Sequence, residues 1–273
     1  MSKMPHIQLD SSIGTTAAIL PGDPARVDAI ASYLTDVKEE AFNREYKSIT
    51  GNYKNMRVLV ISTGMGGAST AICVEELADL GVTDMIRIGS CGALQDHLKL
   101  GQLVLCDKAV CDDGASQTYT NALCYASPDF LVGRTCKRAD DGINYSYPAS
   151  SLLYACGQAA QALGYSHAVG PTRSHDALYQ RIKPELDAFY SRKGVFASDM
   201  ETAALFAVGT LRGIRTASIL NVVVEWENDI KEGVGAYRDG AKAAAKGEEN
   251  EIHTALEALY LIRNQNKQPL ASS

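Results

Sequence analysis

The sequence predicts an α/β fold with a mostly parallel sheet. Three observations carry this. Short apolar, β-branched runs alternate with stretches of helical periodicity along most of the chain. The runs are apolar on both faces, as strands covered by helices on both sides must be. Several runs end in a glycine-containing corner that opens the next helical stretch. In such sheets ligands collect at the carboxyl ends of the strands.

In order, TTAAIL (15–20) predicts the first strand, and GDPARVDAIASYL a helix capped by Asp23 with Pro24 in its first turn. RVLVIST (57–63) predicts a buried parallel strand, and GGASTAICVEELADLG the following helix, stopped at Gly81. MIRIGS (85–90) and QLVLCDKAV (102–110) predict two more strands, and PASSLLYACGQAAQALG (148–164) a helix. DMETAALFAVGTLRG (199–213) reads as a helix capped by Asp199, and RTASILNVVV (215–224) as a long buried strand. A final helix covers about 236–263, and NQNKQPLASS is a polar tail over about 264–273. No repeat or Pro/Gly-rich linker divides the chain, so residues 1–273 form one domain.

The bulk numbers exclude several functions. Hydrophobic residues make up 46% and charged residues 21% of the 273, an ordinary globular composition. The net charge of -6 argues against nucleic-acid binding through the overall field. No run reaches the about 18 apolar residues of a membrane span, and MSKMPHIQLD lacks the apolar core of a secretory signal. The seven cysteines form no C-x-x-C pair, which disfavours a disulfide framework or a zinc site. Reduced thiols in the cytoplasm are the expectation.

The strand ends carry the chemistry. LPGDPAR offers free helix N–H groups, a glycine for close approach, and Arg26 one turn in. It is either an anion site or a well-capped helix with a surface arginine. ISTGMGGAS is no dinucleotide fingerprint, because Ser69 replaces the third glycine, and no Lys-Ser/Thr makes it a P-loop. It reads as a turn that lets a helix pack close. In IRIGSCGAL, Arg87 faces away from its flanking isoleucines inside a buried strand. A guanidinium there must meet a bound anion or a structural ion pair. Ser90 adds a hydroxyl, and Gly92 lets backbone approach. SDMETAAL places Asp199 and Glu201 near a helix N-terminus, where the dipole alone favours carboxylates. The alternative is a carboxylate pair holding sugar hydroxyls. Two arginines, a hydroxyl, glycine corners and a carboxylate fit a phosphate beside a ribose, the substrate pair of phosphorolysis.

As an ordered set, PGDPARV, NREYKS, STGMGGAST, EELADLG, IRIGSCGAL, DGAS and SDMETAALF resemble the motifs of the nucleoside phosphorylase family with the trimer-or-hexamer fold. Within it they are most similar to the uridine phosphorylases, over roughly residues 6 to 225. The resemblance implies a single three-layer α/β/α domain around a mostly parallel, mixed sheet. It implies a pentosyltransferase: nucleoside plus inorganic phosphate gives free base and ribose 1-phosphate. It also implies roles. Gly22, Arg26, Arg87 and Ser90 match phosphate-holding positions, and Arg44 an arginine lent by the neighbouring subunit. His6 matches a neighbour's histidine at the ribose 5′-hydroxyl, and Met200 and Glu201 match ribose contacts. Cys91 and Gly92 would sit by the base. Arg87, Glu201 and Arg26 would carry catalysis. Glu45 and Ser69 match positions that bind a monovalent cation such as K+ between subunits in some relatives. No other metal or cofactor is implied. Sites are shared within dimers, usually joined as a hexamer. On this reading Arg87→Ala removes most phosphorolysis and leaves the fold intact.

Purine members of the family place an aspartate in the segment matching NVVVEW. This chain has Val222, Val223 and Val224 there, an apolar wall suited to a pyrimidine, with Glu225 next in line. Uridine phosphorylases read the uracil edge with a glutamine and an arginine one residue apart. In HDALYQRIKPELDAFY (175–190), Gln180 and Arg181 supply both types but are adjacent, and an ungapped alignment would put Ile182 and Pro184 there. Leu178 replaces a phenylalanine that stacks on the base. The alternatives are a purine nucleoside phosphorylase, a nucleosidase that uses water, and a catalytically silent nucleoside-binding protein. Arg26, Arg44 and Arg87 favour the phosphorylase over the nucleosidase. Arg87, Ser90 and Glu201 speak against the silent protein. The segment 120–147 carries no assignment.

Overall fold

The computed structural model describes residues 3–125, 142–238 and 242–265. Strand β1 (Ala17–Pro21) is buried along its whole length. It turns at Gly22 into α1 (Pro24–Ala31), where the Asp23 side chain accepts the Ala25 N–H at 2.8 Å and Pro24 opens the helix. An antiparallel hairpin follows, β2 (Thr35–Asn43) and β3 (Tyr46–Tyr53), with Arg44 in a left-handed conformation at its turn. This hairpin is not marked in the sequence pattern. β2 is almost wholly exposed, so it lacks the apolar pattern that marks a strand. Then come β4 (Met56–Ile61), α2 (Gly67–Asp79), β5 (Asp84–Ala93), β6 (Leu103–Asp112), α3 (Gly114–Tyr125), β7 (Tyr145–Ser146) and α4 (Ser150–Ala162). The rest is β8 (His167–His175), α5 (Lys183–Arg192), β9 (Ala197–Asp199), α6 (Thr202–Arg212), β10 (Arg215–Val224), α7 (Ile230–Arg238) and α8 (Lys242–Gln265).

The ten strands among the described residues belong to one mixed sheet. β1 lies parallel between β4 and β5, and β3 and β2 extend that wing with antiparallel pairs. Beyond β5 the sheet closes on itself. β10 pairs parallel with β5 and antiparallel with β6, β6 and β8 are parallel, and β9 joins β8 back to β5. This ring brings the carboxyl ends of β5 and β10 beside β9 and the chain leaving β8.

Helices cover both faces, which gives the three layers the sequence implied. α2 and α6 bury Cys73, Val74, Leu77, Leu205, Phe206 and Val208 on one face. α1, α4 and α8 bury Val27, Ile30, Leu152, Ile252, Leu256 and Leu259 on the other. Each such side chain contributes about 1.5–3 kcal/mol when fully buried.

Three boundaries differ from expectation. The predicted final helix is two helices, α7 and α8, and α8 extends into the stretch assigned to the polar tail. Glycines 233, 235 and 240, with the surrounding charges, weaken the helical pattern there without erasing it. Asp199 ends β9 instead of opening α6, yet its carboxylate still accepts the Thr202 N–H at 3.0 Å. Residues 126–141, most of the unassigned 120–147 segment, and 266–273 of the tail lie outside the described residues.

α6 packs so closely on β10 that a Cβ on Gly209 would lie 2.5 Å from Thr216 Cγ2 and 2.8 Å from its Oγ1. Gly209→Ala is expected to destabilise the fold by about 1–3 kcal/mol. Chemical denaturation checks this, and an unchanged midpoint would refute the tight packing.

Candidate active site

Arg87 lies on β5, in register with Leu20 of β1 and Ser218 of β10, and is 4% exposed. Its Nε donates to Asp199 Oδ2 at 3.2 Å and its Nη2 to Glu201 Oε2 at 2.5 Å. The structural ion pair is therefore present. The third nitrogen, Nη1, is buried and has no hydrogen-bond partner among the described residues. It points toward the corner after β1, where a Cβ on Gly22 would lie 3.9 Å from it. One prong of the fork is thus open at a backbone corner, where an oxyanion can take it. Gly89 has to be a glycine, because a Cβ there would meet Arg87 Nη2 at 2.6 Å.

The two carboxylates divide the work. Asp199 is fully engaged: it accepts from Arg87 Nε, from Ser174 Oγ at 2.6 Å, and from the N–H and Oγ of Thr202. It is a structural anchor, so the expected pairing of Asp199 with Glu201 on sugar hydroxyls does not fit its contacts. Glu201 Oε1 accepts the Gly66 N–H at 2.6 Å, which ties β5 to the start of α2. Burial pushes the Glu201 carboxyl up, Arg87 pulls it down, and Asp199 adds to the rise. Met200, beside it, is half-buried.

Arg26 is buried on α1 and faces α7 and α8. Its Nη1 donates to Glu251 Oε1 at 3.0 Å and its Nη2 to Tyr237 Oη at 2.6 Å, and Nε lies 3.4 Å from Glu248 Oε2. Burial opposes its charge, but Glu251, Tyr237 and Glu248 more than offset this and hold it cationic. Glu251 is completely buried, and its Oε2 accepts the Gly89 N–H at 3.2 Å. Burial pushes its carboxyl up to about 8 against the pull of Arg26. Arg26 and Arg87 are near enough to feel each other's charge. Half-buried Gly22 follows β1 directly, and half-buried Ser90 lies in β5, three residues before its end. Sequence reasoning missed Tyr237, Glu248 and Glu251. GEENEIH looks like a solvated acidic face, and only packing shows that Glu251 points inward.

A cavity of about 680 Å³ opens among the end of β5 (Gly92, Leu94), the chain after β8, and the loop after β10. That volume suits a nucleoside-sized ligand. Leu178, Gln180 and Arg181 line it. Cys91 does not: its side chain belongs to the core under α2 and α6, and burial pushes the thiol up, so only its backbone is available to a ligand. Val223 packs with Val224 and Ala244, and Val224 lines the cavity instead. A bulge between Val222 and Val224 shifts the in–out alternation by one residue. Glu225 lines the cavity and accepts the Leu100 N–H at 3.1 Å. Trp226, the chain's single tryptophan, and Tyr179 also line it and were missed. A large aromatic at a strand end was the available signal.

His6 and Arg44 stand elsewhere. Glu76 accepts the N–H groups of His6 and Ile7 and pairs with His6 Nδ1 at 2.6 Å, while 43% of the His6 side chain stays exposed. Arg44 is exposed at the β2–β3 turn. Glu45 and Ser69 both flank Gly64, whose Cβ would lie 2.7 Å from Glu45 Cγ and 3.5 Å from Ser69 Oγ. Among the described residues, no group of three or more His, Cys, Asp or Glu side chains could hold a metal ion, and no helix is long and apolar enough to cross a membrane.

Comparison with known proteins gives the family of the chain. The model of the phosphorylase superfamily matches residues 16–258. A uridine phosphorylase of Treponema pallidum is 32% identical over 271 residues, covering 96% of this chain and 95% of its own. A guanosine phosphorylase of Halorubrum lacusprofundi is 33% identical over 222 residues, 81% of this chain and 83% of its own. The crystal structure of a uridine phosphorylase from Vibrio fischeri ES114 superposes with a TM-score of 0.80 at 36% identity, covering 96% of this chain and 98% of that one. Over most of its length, and with an open guanidinium prong at a strand-end corner, the chain belongs to the phosphorylase superfamily.

Proposed function

We propose that the protein is a nucleoside phosphorylase that cleaves uridine with inorganic phosphate to uracil and ribose 1-phosphate. The observation that carries this is Arg87 Nη1, buried and unpartnered, facing the Gly22 corner beside Glu201. Phosphate there accepts from Arg87 and meets the backbone of Gly22 and the hydroxyl of Ser90. Arg26 adds positive charge to the same region, in competition with its hold on Glu251. Glu201, fixed by Gly66 and Arg87, accepts from the ribose hydroxyls, with Met200 against the sugar. As the glycosidic bond stretches, positive charge grows on the ribose. Phosphate beneath the anomeric carbon stabilises that charge and then attacks. The base leaves as an anion into the cavity beyond Gly92, where Gln180 and Arg181 supply donors. One preorganised donor is worth about 3 kcal/mol there.

The reading extends to assembly. Arg44 and His6, exposed and outside the cavity, act on a neighbouring subunit's site in a dimer, and dimers join as a hexamer. Glu45 and Ser69 bind a monovalent cation such as K+ at that interface. The enzyme works in the cytoplasm in nucleoside salvage. A purine reading is favoured by one observation: Glu225, an acid at the cavity wall, stands near where purine members place their aspartate.

Three measurements test this. Incubated with a nucleoside panel, the protein is expected to release uracil from uridine only when phosphate is present. Release without phosphate indicates a nucleosidase, and preference for inosine or guanosine the purine reading. Arg87→Ala is a poor probe, because it strands two buried carboxylates at a cost of about 3–5 kcal/mol, contrary to the expectation of an intact fold. Arg87→Lys keeps the charge but loses the fork, and should lower kcat/KM for phosphate by about 100- to 1,000-fold. A near-parental value would rule out the assigned anion site. Finally, Arg44→Ala and Arg87→Lys should each be inactive alone. Subunits randomly mixed after dissociation should recover about a quarter of parental activity, because each mixed dimer holds one intact site. No recovery would place Arg44 outside a shared site.

A further inference from the structure

On α5, Lys183, Pro184, Asp187 and Ala188 line the cavity. Each pair of neighbours recurs one turn on, so the four form one face of the helix. Lys183 and Asp187 meet on that face. The ammonium donates to Asp187 Oδ2, and the two side chains are 13% and 14% exposed. Asp187 is its only hydrogen-bond partner among the described residues. An ammonium has three N–H donors, so two are left at the cavity wall.

The charge around Lys183 is arranged against local preference. It is the first residue of α5, at the positive end of the helix dipole. Its partner is shared, because Arg173 Nη1 lies 3.4 Å from Asp187 Oδ1 while Asp112 takes the Nε and Nη2 of Arg173. Two cations and a helix N-terminus thus crowd one carboxylate, a conflict expected at a functional site. The other acids lining the cavity, Glu225, Glu227 and Asp229, lie on a different wall, in the loop after β10. An anion formed in the cavity is therefore drawn toward α5. The other cavity cations are less suited to meet it. Arg181 is exposed, where water screens its charge, and Lys231 stands 5.6 Å from the centre of the Tyr179 ring. Lys183 is shielded and already fixed by Asp187, as an electrostatic catalyst has to be.

We propose that Lys183 is a catalytic residue: its ammonium donates to a carbonyl oxygen of the base and stabilises the negative charge that the base carries as it leaves. The glycosidic bond breaks with its electron pair on the base, which spreads the charge onto its carbonyl oxygens. A phosphate oxygen supplies the pair that forms the new bond to the anomeric carbon. The proton that the phosphate group gives up reaches the base through water. The acceptor gains charge only as the bond breaks, so the ammonium binds the transition state more strongly than the ground state. The proposal rests on the nucleoside reading of the cavity and adds a residue to it.

The test compares Lys183→Met and Lys183→Arg with the parent on two nucleosides, uridine and 5-fluorouridine. The fluorinated base is the more stable anion and needs less help to leave. Met keeps the apolar stem and removes the charge, and Arg173 still holds Asp187, so the fold should survive. Lys183→Met is expected to lower kcat/KM for uridine by about 100- to 1,000-fold. The loss with 5-fluorouridine should be clearly smaller, and the KM for phosphate unchanged. Lys183→Arg, which keeps a cation on the same face, should recover part of the loss with uridine. Parental kcat/KM in the Met variant overturns the proposal. So does an equal fold-loss with both nucleosides, because a distorted site slows good and poor leaving groups alike. If the parent releases no base from any nucleoside, the reading of the cavity falls and takes this inference with it.

Discussion

The structure around the site depends on one buried fork. Arg87 reaches Asp199 with one nitrogen and Glu201 with another. Through those two carboxylates, β5 is bound to the end of β9, to the start of α6 and to the first turn of α2. A buried ion pair is weak evidence for stability, because desolvation of its charges consumes most of the attraction. It earns its place by orientation. With Nε and Nη2 held, the plane of the guanidinium is set, and Nη1 can point only toward the Gly22 corner. The glycine at position 89 follows from this, since any side chain there would displace the fork.

A second constraint is the closure of the sheet. An open parallel sheet would leave the ends of β5 and β10 facing solvent. Here β9 returns between β8 and β5, and β6 pairs with β10, so these ends face the chain that leaves β8. The cavity lies at that junction, next to the charged cluster but outside it. Its polar groups come from several elements: Gln180 and Arg181 from the segment before α5, Glu225 from the loop after β10, and Ser198 from β9. One element bears the fork with its open nitrogen, and others bear the walls.

The long C-terminal helix has a comparable role on the other face. Glu251 bridges Arg26 of α1 and the backbone of Gly89 on β5, so α8 ties the helix beside it to the strand that carries Arg87. The high carboxyl pKa of Glu251, raised by its complete burial, shows how much this costs, and Arg26 is the group that makes it tolerable. Arg26 is therefore both a candidate phosphate ligand and a structural partner, whereas Arg87 keeps a nitrogen for each role.

How much of this is legible in the chain depends on how local the cause is. The α/β class, the central buried strands, the α1 cap at Asp23 and the peculiarity of Arg87 follow from periodicity, turn chemistry and the cost of burying charge. These are properties of a few consecutive residues. The β2–β3 hairpin was not legible, because its exposed strand has no apolar alternation. The bulge that turns Val224 rather than Val223 toward the cavity breaks the period on which the reading relied. The motif puts Cys91 by the base, whereas its side chain belongs to the core under α2 and α6. The inward turn of Glu251, the full commitment of Asp199 and the unpartnered nitrogen of Arg87 come from contacts between residues far apart in sequence. Sequence alone determined which side chains carry charge into the sheet. Only the tertiary structure decided which of those charges are satisfied within the chain and which are left open, because a hydrogen bond is counted between neighbours in space.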